Sequence, residues 1–224
     1  MVATPFSKLL IPPLENGDRL SCSEFERRYQ AMPYLKKAEL IEGVVYIASP
    51  LRIKSHGEPH GFLITWLGTY KAFTPSVVVG DNATVRLDLD NEPQPDAVLF
   101  IPGKQANISI DDYIEGAPEL VAEVAASSAA IDLYDKKRAY RRDGVQEYIV
   151  WQTLDNKLDW FALQAEEYIS LTPNEQGIIC SQVFPGLWLS INALLAGDMP
   201  TVLSVLQAGL NSPQHQEFLQ RLKA

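Results

Sequence analysis

Apolar residues fall in short blocks separated by turn residues, and only a few stretches repeat at helical spacing. In PHGFLITWLGTYKAF (59–73), Phe62, Leu63, Trp66, Leu67 and Tyr70 recur at intervals of three and four, which predicts a helix with one buried face. Upstream, Ser23-Glu-Phe-Glu26 is a capping-box pattern and predicts a short helix ending near Met32-Pro33. AELIEGVVYIA predicts two strands meeting at Glu42-Gly43. SVVVG, TVRLDL and, after the turn DNEPQP, the run from Asp96 to Ile101 predict three more. ELVAEVA is apolar almost throughout and bounded by turn-prone residues, which fits a strand buried on both faces.

Residues from about Ala129 to Arg142 predict a helix stopped by Asp143-Gly144, followed by a strand from Glu147 to Trp151. KLDWFAL and EEYISL predict a hairpin connected through Gln164-Ala-Glu, and the chain after PGLWLSINALLAGD mixes a short strand with two or more helices. No internal repeat or low-complexity linker interrupts the pattern. The sum is an α/β protein with a mixed central β-sheet flanked by helices. One domain over residues 1–224 is expected, with a helix-hairpin addition at the N-terminus and helical additions at the C-terminus.

Composition narrows the function more than the fold. No apolar run approaches a membrane span, and the opening MVATPFSKLLIPPLENGD lacks the regions of a signal peptide, so the expected location is cytoplasmic with no membrane partner. The two cysteines, Cys22 and Cys180, lie far apart without metal-ligand spacing, which predicts two buried thiols rather than a disulfide or a zinc site. A formal charge of −9 excludes coating of nucleic acid by bulk electrostatics, so any such binding requires a local basic patch. The most basic stretch is the helix that carries Arg138, Arg141 and Arg142, which are therefore candidate phosphate contacts.

The chemistry centres on Glu123. It lies inside a segment expected to be dry, where a lone ionised carboxylate costs several kcal/mol unless it is paired, protonated or bound to metal. Asp96, which opens an equally apolar strand straight after Pro95, is the obvious partner. Two carboxylates at neighbouring strand ends repel, and a hard divalent cation such as magnesium relieves the repulsion. Asp132, Lys136 and Tyr140 follow i, i+4, i+8 spacing and share one helix face that can lean over Glu123. An ammonium there can orient a water, stabilise an attacking hydroxide or contact a phosphate.

At these residues the chain resembles the Uma-two type of restriction endonuclease, a branch of the PD-(D/E)xK nuclease superfamily. The likeness runs in order through ELIEG, SPLRIKSHGEPHGFLITWL, PQPDAVLF, PELVAEVAASSAAIDLYDKKRAYRRDGVQEYIVW and FPGLWLSINALL. The resemblance implies a restriction-endonuclease-like core. It also implies that Asp96 and Glu123 hold the metal with the Val124 carbonyl, magnesium being the cofactor and manganese its substitute. The usual motif lysine two residues after the Glu is replaced here by Ala125, and the resemblance implies that Lys136 takes its place. Glu39 resembles the family's N-terminal acidic residue, and His60 the histidine that opens the helix over the site.

The chain departs from the family at Ala126-Ser127-Ser128, where Ser-Pro-Ser is usual, and at Gln152, where an acid is usual. The first departure touches the loop nearest the metal, and the second is structural. Each site residue also has a plainer role open to it. Asp96 could cap backbone N–H groups after the proline, Glu123 could form a buried salt bridge to one helix cation, and Lys136 could lie on a solvated basic face. His60 could serve as a helix-start residue, and Tyr140 could simply pack. His56 and His215 offer no basis for a role. The resulting expectation is a metal-dependent endonuclease acting on DNA as a homodimer. The alternative is a catalytically silent protein that uses the nuclease fold to bind nucleic acid or protein.

Overall fold

The computed structural model describes residues 11–223; the segment without signal-peptide features lies partly in residues 1–10, outside the described residues. Helix α1 (Cys22–Gln30) opens one residue before the capping box, with Ser21 at its cap. Ser21 makes no side-chain cap, because its hydroxyl bonds that of Ser23 at 3.1 Å. Strands β1 (Ala38–Ile41) and β2 (Val44–Ile47) form the expected hairpin. Its two turn residues, Glu42 and Gly43, have φ of 53° and 71°, the left-handed pair that matches the twist of flanking strands. A π-helical turn (Ile53–Gly57) then feeds α2 (Glu58–Phe73).

The main sheet has six strands: β3 (Val78–Asp81), β5 (Ala97–Phe100), β8 (Leu120–Ala125), β9 (Glu147–Gln152), β10 (Lys157–Gln164) and β11 (Glu167–Ser170). Their order is β11-β10-β9-β8-β5-β3, with only β8 and β9 parallel. A parallel pair needs a crossover. A π-helical turn (Ile131–Lys136) running into α3 (Lys137–Arg142) supplies it, where the periodicity predicts one uninterrupted helix. A small sheet of β4 (Val85–Arg86), β6 (Ala106–Ile108) and β7 (Ile114–Gly116) stands apart. TVRLDL therefore gives two strand residues rather than a full strand. Beyond them the chain folds back, with the Leu87 N–H on the Asn91 carbonyl and the Asp88 carboxylate collecting the Asp90 N–H.

Alternation along the strands feeds two apolar layers. Ala122, Val124, Ile149 and Trp151 meet Leu63, Trp66, Leu67 and Tyr70 of α2 on one face. Val98, Val121, Ala125 and Val150 meet Tyr140 of α3 on the other. Strand β8 is buried along its whole length, as its apolar run predicts. The first layer continues into a hairpin of β12 (Ile178–Cys180) and β13 (Trp188–Ser190), then α4 (Ile191–Leu195), α5 (Met199–Leu210) and α6 (Pro213–Arg221). The expectation of two buried thiols fails. Cys180 ends an edge hairpin and is exposed, and Cys22 is only half-buried at a helix start.

Helix α5 lies so close to the β13 hairpin that Gly209 has no room for a side chain. A Cβ there would collide with the Gly186 carbonyl oxygen and come within 2.8 Å of the Trp188 ring. A helical Gly→Ala change ordinarily stabilises by about 0.5–1 kcal/mol. Gly68→Ala on α2, where a Cβ meets nothing within 4 Å, should show that gain in urea denaturation. Gly209→Ala should instead destabilise by about 1–3 kcal/mol through overpacking, and a gain there would contradict the packing described.

Candidate active site

Asp96 and Glu123 face each other across adjacent strands. The β5–β8 register pairs Ala97 with Ala122, so the next antiparallel step sets Asp96 opposite Glu123, and residues opposite in an antiparallel pair share a face. Main-chain bonds tie the two together: the Asp96 N–H donates to Glu123 Oε2 at 3.4 Å, and the Val124 N–H donates to Asp96 Oδ2 at 2.8 Å. The N–H and C=O of one strand residue leave by the same edge, so the Val124 carbonyl lies on the Asp96 side. Asp96 thus accepts a main-chain N–H from the neighbouring strand rather than from the turn after Pro95, and its carboxylate stays beside Glu123.

Lys136 ends the π-helical turn and is buried rather than solvated, with its side chain 5 % exposed. Its Nζ lies 2.9 Å from Glu39 Oε1, 3.0 Å from Glu123 Oε1 and 3.5 Å from Asp132 Oδ1. Tyr140 donates its hydroxyl to Glu123 Oε1 at 3.1 Å, and Ser128 donates to Asp132 Oδ2 at 2.6 Å. Asp132, Lys136 and Tyr140 therefore face the site together despite the widened turn. Glu39 arrives from β1, its Oε1 also accepting the Gln94 N–H at 2.7 Å. Across the hairpin from Glu39, Tyr46 donates to Asp135 at 3.2 Å and fastens β2 to the same turn. Gln152 donates to Asp159 at 2.6 Å, a bond between strands in keeping with a structural part.

The π-helical turn before α2 contributes a residue that the sequence offered no reason to single out. His56 is buried, with Nε2 3.2 Å from Asp96 Oδ2. His60 Nε2 lies 3.0 Å from the Asp96 carbonyl and 3.0 Å from Asp81 Oδ1. The available signal was the four-residue spacing of the two histidines, which places side chains on one helical face. Lys37 completes the surroundings of Asp96, its Nζ 3.5 Å from Oδ1.

The electrostatics separate the two opposed acids. Burial pushes the Asp96 carboxyl up, but the His56 hydrogen bond, the Lys37 charge and the Val124 N–H outweigh it and hold the group well below the usual range. Burial dominates at Glu123 and raises it, with Lys136 opposing and Asp132, Asp96 and Glu39 adding to the rise. Burial also raises Asp132 against the pull of Lys136 and Ser128. Lys136, although desolvated, is held well above its ordinary value by the three acids. One ammonium thus serves three carboxylates, and the raised Glu123 and Asp132 groups mark the repulsion left among them.

Among the described residues, no three His, Cys, Asp or Glu side chains form a closed metal cage. Magnesium does not need one: it is commonly held by one or two carboxylates with water and substrate phosphate completing the shell. The donors present are two opposed carboxylates and a main-chain carbonyl, all hard oxygens. They fit such a cation. Arg138, Arg141 and Arg142 are already engaged. Arg138 pairs with Asp135 at 3.2 Å, Arg141 with Glu167 at 2.8 Å, and Arg142 with Glu42 and Asp88 at 2.6 and 2.8 Å.

Removing Lys136 tests this balance. Lys136→Met leaves buried acids without their cation, a change that typically costs about 3–5 kcal/mol. Without the ammonium, the folded-state pKa values of Glu123 and Asp132, already raised by burial, rise further above their unfolded values. The deficit should therefore grow chiefly where the wild-type Glu123 begins to ionise, as pH rises from about 7 to 9 through its value of about 8. Urea denaturation across that range reads it, and an equal deficit at both ends would contradict the arrangement.

Comparisons with known proteins bear on the fold and the family. A solved structure from Anabaena variabilis, described as a putative nuclease belonging to DUF820, superposes with a TM-score of 0.57 at 14% identity, covering 76% of this chain and 96% of its own. At that identity it shows the shared fold. The search of curated proteins gave no match. The family profile described as "Putative restriction endonuclease", Uma2, matches residues 22–192, and on that match the chain belongs to the Uma2 family.

Proposed function

We propose that the protein is a divalent-metal-dependent endonuclease of the PD-(D/E)xK type that hydrolyses phosphodiester bonds in DNA. The observation that carries this reading is the pairing of Asp96 and Glu123 on opposed strand positions, with the Lys136 ammonium 3.0 Å from Glu123. Family membership supports it, as does the likeness in fold to the Anabaena protein described as a nuclease. Asp96, Glu123 and the Val124 carbonyl would hold magnesium, or manganese in its place. When bound, such a cation lowers the pKa of a coordinated water and offsets charge growing on the phosphoryl oxygens.

The chain's own residues supply the rest. Lys136 fixes the Glu123 carboxylate and keeps a positive charge beside the reacting centre, the task of the motif lysine whose position is Ala125 here. Glu39 and Asp132 hold that ammonium from two other sides. Tyr140 donates to the same Glu123 oxygen and fixes its rotamer. His56 holds the Asp96 carboxylate from the α2 side. Cutting both strands of a duplex calls for two such sites, which a homodimer supplies.

Asp96→Asn and Glu123→Gln should each lower manganese-dependent plasmid cleavage by about 10²- to 10³-fold, the scale for removing one charge-stabilising group. Both should also abolish manganese binding by calorimetry while keeping the wild-type circular dichroism spectrum. Cleavage by Asp96→Asn at the wild-type rate would refute the assignment. Manganese binding with no cleavage of duplex or single-stranded DNA would favour the silent nuclease-fold protein instead.

A further inference from the structure

We propose that Arg52 and Lys54, on the turn that enters α2, form the rim by which the protein seats the phosphate backbone of duplex DNA over its active site; this rests on the nuclease reading above. The protein carries a charge of −9, so a phosphate-binding surface must be local and made of cations not already neutralised. The arginines of α3 do not qualify, because each is held by an acid. Arg52 and Lys54 are exposed, and neither makes an ion pair or a side-chain hydrogen bond with the described residues. Between residues 48 and 58 the only acid is Glu58.

Their position ties them to the reacting groups. The Arg52 carbonyl accepts the N–H groups of His56 and Gly57 at 3.0 and 3.1 Å, so the charged segment is closed into a rigid turn. That turn is pinned at two points. His56 reaches Asp96 at 3.2 Å, and the Ser55 carbonyl accepts the Thr153 hydroxyl at 2.7 Å. The Thr153 N–H in turn bonds the Ala125 carbonyl at 3.0 Å, two residues beyond Glu123. At its start the segment runs beside Lys37, whose carbonyl accepts the Ala48 N–H at 3.2 Å and whose ammonium faces Asp96. The turn that carries the two cations is thus tied to Asp96 and, through Thr153, to the end of β8 beyond Glu123. The flanking Leu51 and Ile53 are 63 % and 72 % exposed, an apolar contact area at the same rim for the sugar edge of a docked strand.

Each lost phosphate contact flattens the dependence of log K on log salt by about one unit, equally for all sequences. The full chain is titrated with a short fluorescent duplex in EDTA, so that binding is read without cleavage. Arg52→Ala/Lys54→Ala should flatten the salt slope by about 2 and weaken binding to unrelated duplexes alike, while manganese binding stays at the wild-type level. Arg141→Ala/Arg142→Ala should leave the slope unchanged. A wild-type slope in the Arg52/Lys54 variant overturns the proposal, as does a slope lost in the Arg141/Arg142 variant or no duplex binding by the wild type at low salt. Tighter binding of single-stranded RNA at the same rim overturns the duplex assignment. The nuclease reading fails separately, if Asp96→Asn leaves manganese binding intact.

Discussion

Glu123 sits in the middle of a sheet buried on both faces, directly across from Asp96, and among the described residues the Lys136 ammonium alone serves Glu39, Glu123 and Asp132. Such a cluster is costly to desolvate, and replacing it with apolar side chains of similar volume is often neutral or stabilising. Stability alone therefore gives no account of the cluster. The same placement fixes the register of β5 against β8. A slip of one residue would turn Asp96 and Glu123 to opposite faces and send an acid into the α2 layer.

Every element near the site delivers at least one group to it. The β1–β2 hairpin brings Glu39, the crossover between β8 and β9 brings Asp132, Lys136 and Tyr140, and the turn before α2 brings His56. Both helices that face the site open with π-helical turns. Such turns are uncommon and frequently occur at functional sites. The apolar layers do the anchoring: Trp66 and Tyr70 donate to the carbonyls of Trp188 and Pro185 and lock α2 to the C-terminal hairpin. Tyr148 donates to the Asp132 carbonyl and holds the crossover turn against β9.

Much of this was legible in the sequence because the signals are local. Two-residue turn chemistry marked the hairpin at Glu42-Gly43, helical spacing marked α2, and a run apolar at all but one position marked β8. The acid within that run pointed to a partner, and the proline before Asp96 pointed to where the partner would stand. Illegible features were those set by tertiary contact. His56 sits in an exposed-looking polar stretch and is buried only because its turn is drawn down onto Asp96 and Thr153. The basic run of α3 suggested free phosphate contacts, yet Glu42, Asp88 and Glu167 arrive from distant strands and turns to pair with it. The exposure of Cys180 follows from its place on an edge hairpin, which composition does not reveal.

The most direct measurement is anomalous diffraction from crystals soaked in manganese. The account predicts a single strong peak coordinated by both the Asp96 and Glu123 carboxylates and by the Val124 carbonyl, with Lys136 still in contact with Glu123. A crystal in which manganese is absent from that gap, or is held by other residues while the two carboxylates stay closed on Lys136 and His56, would contradict it.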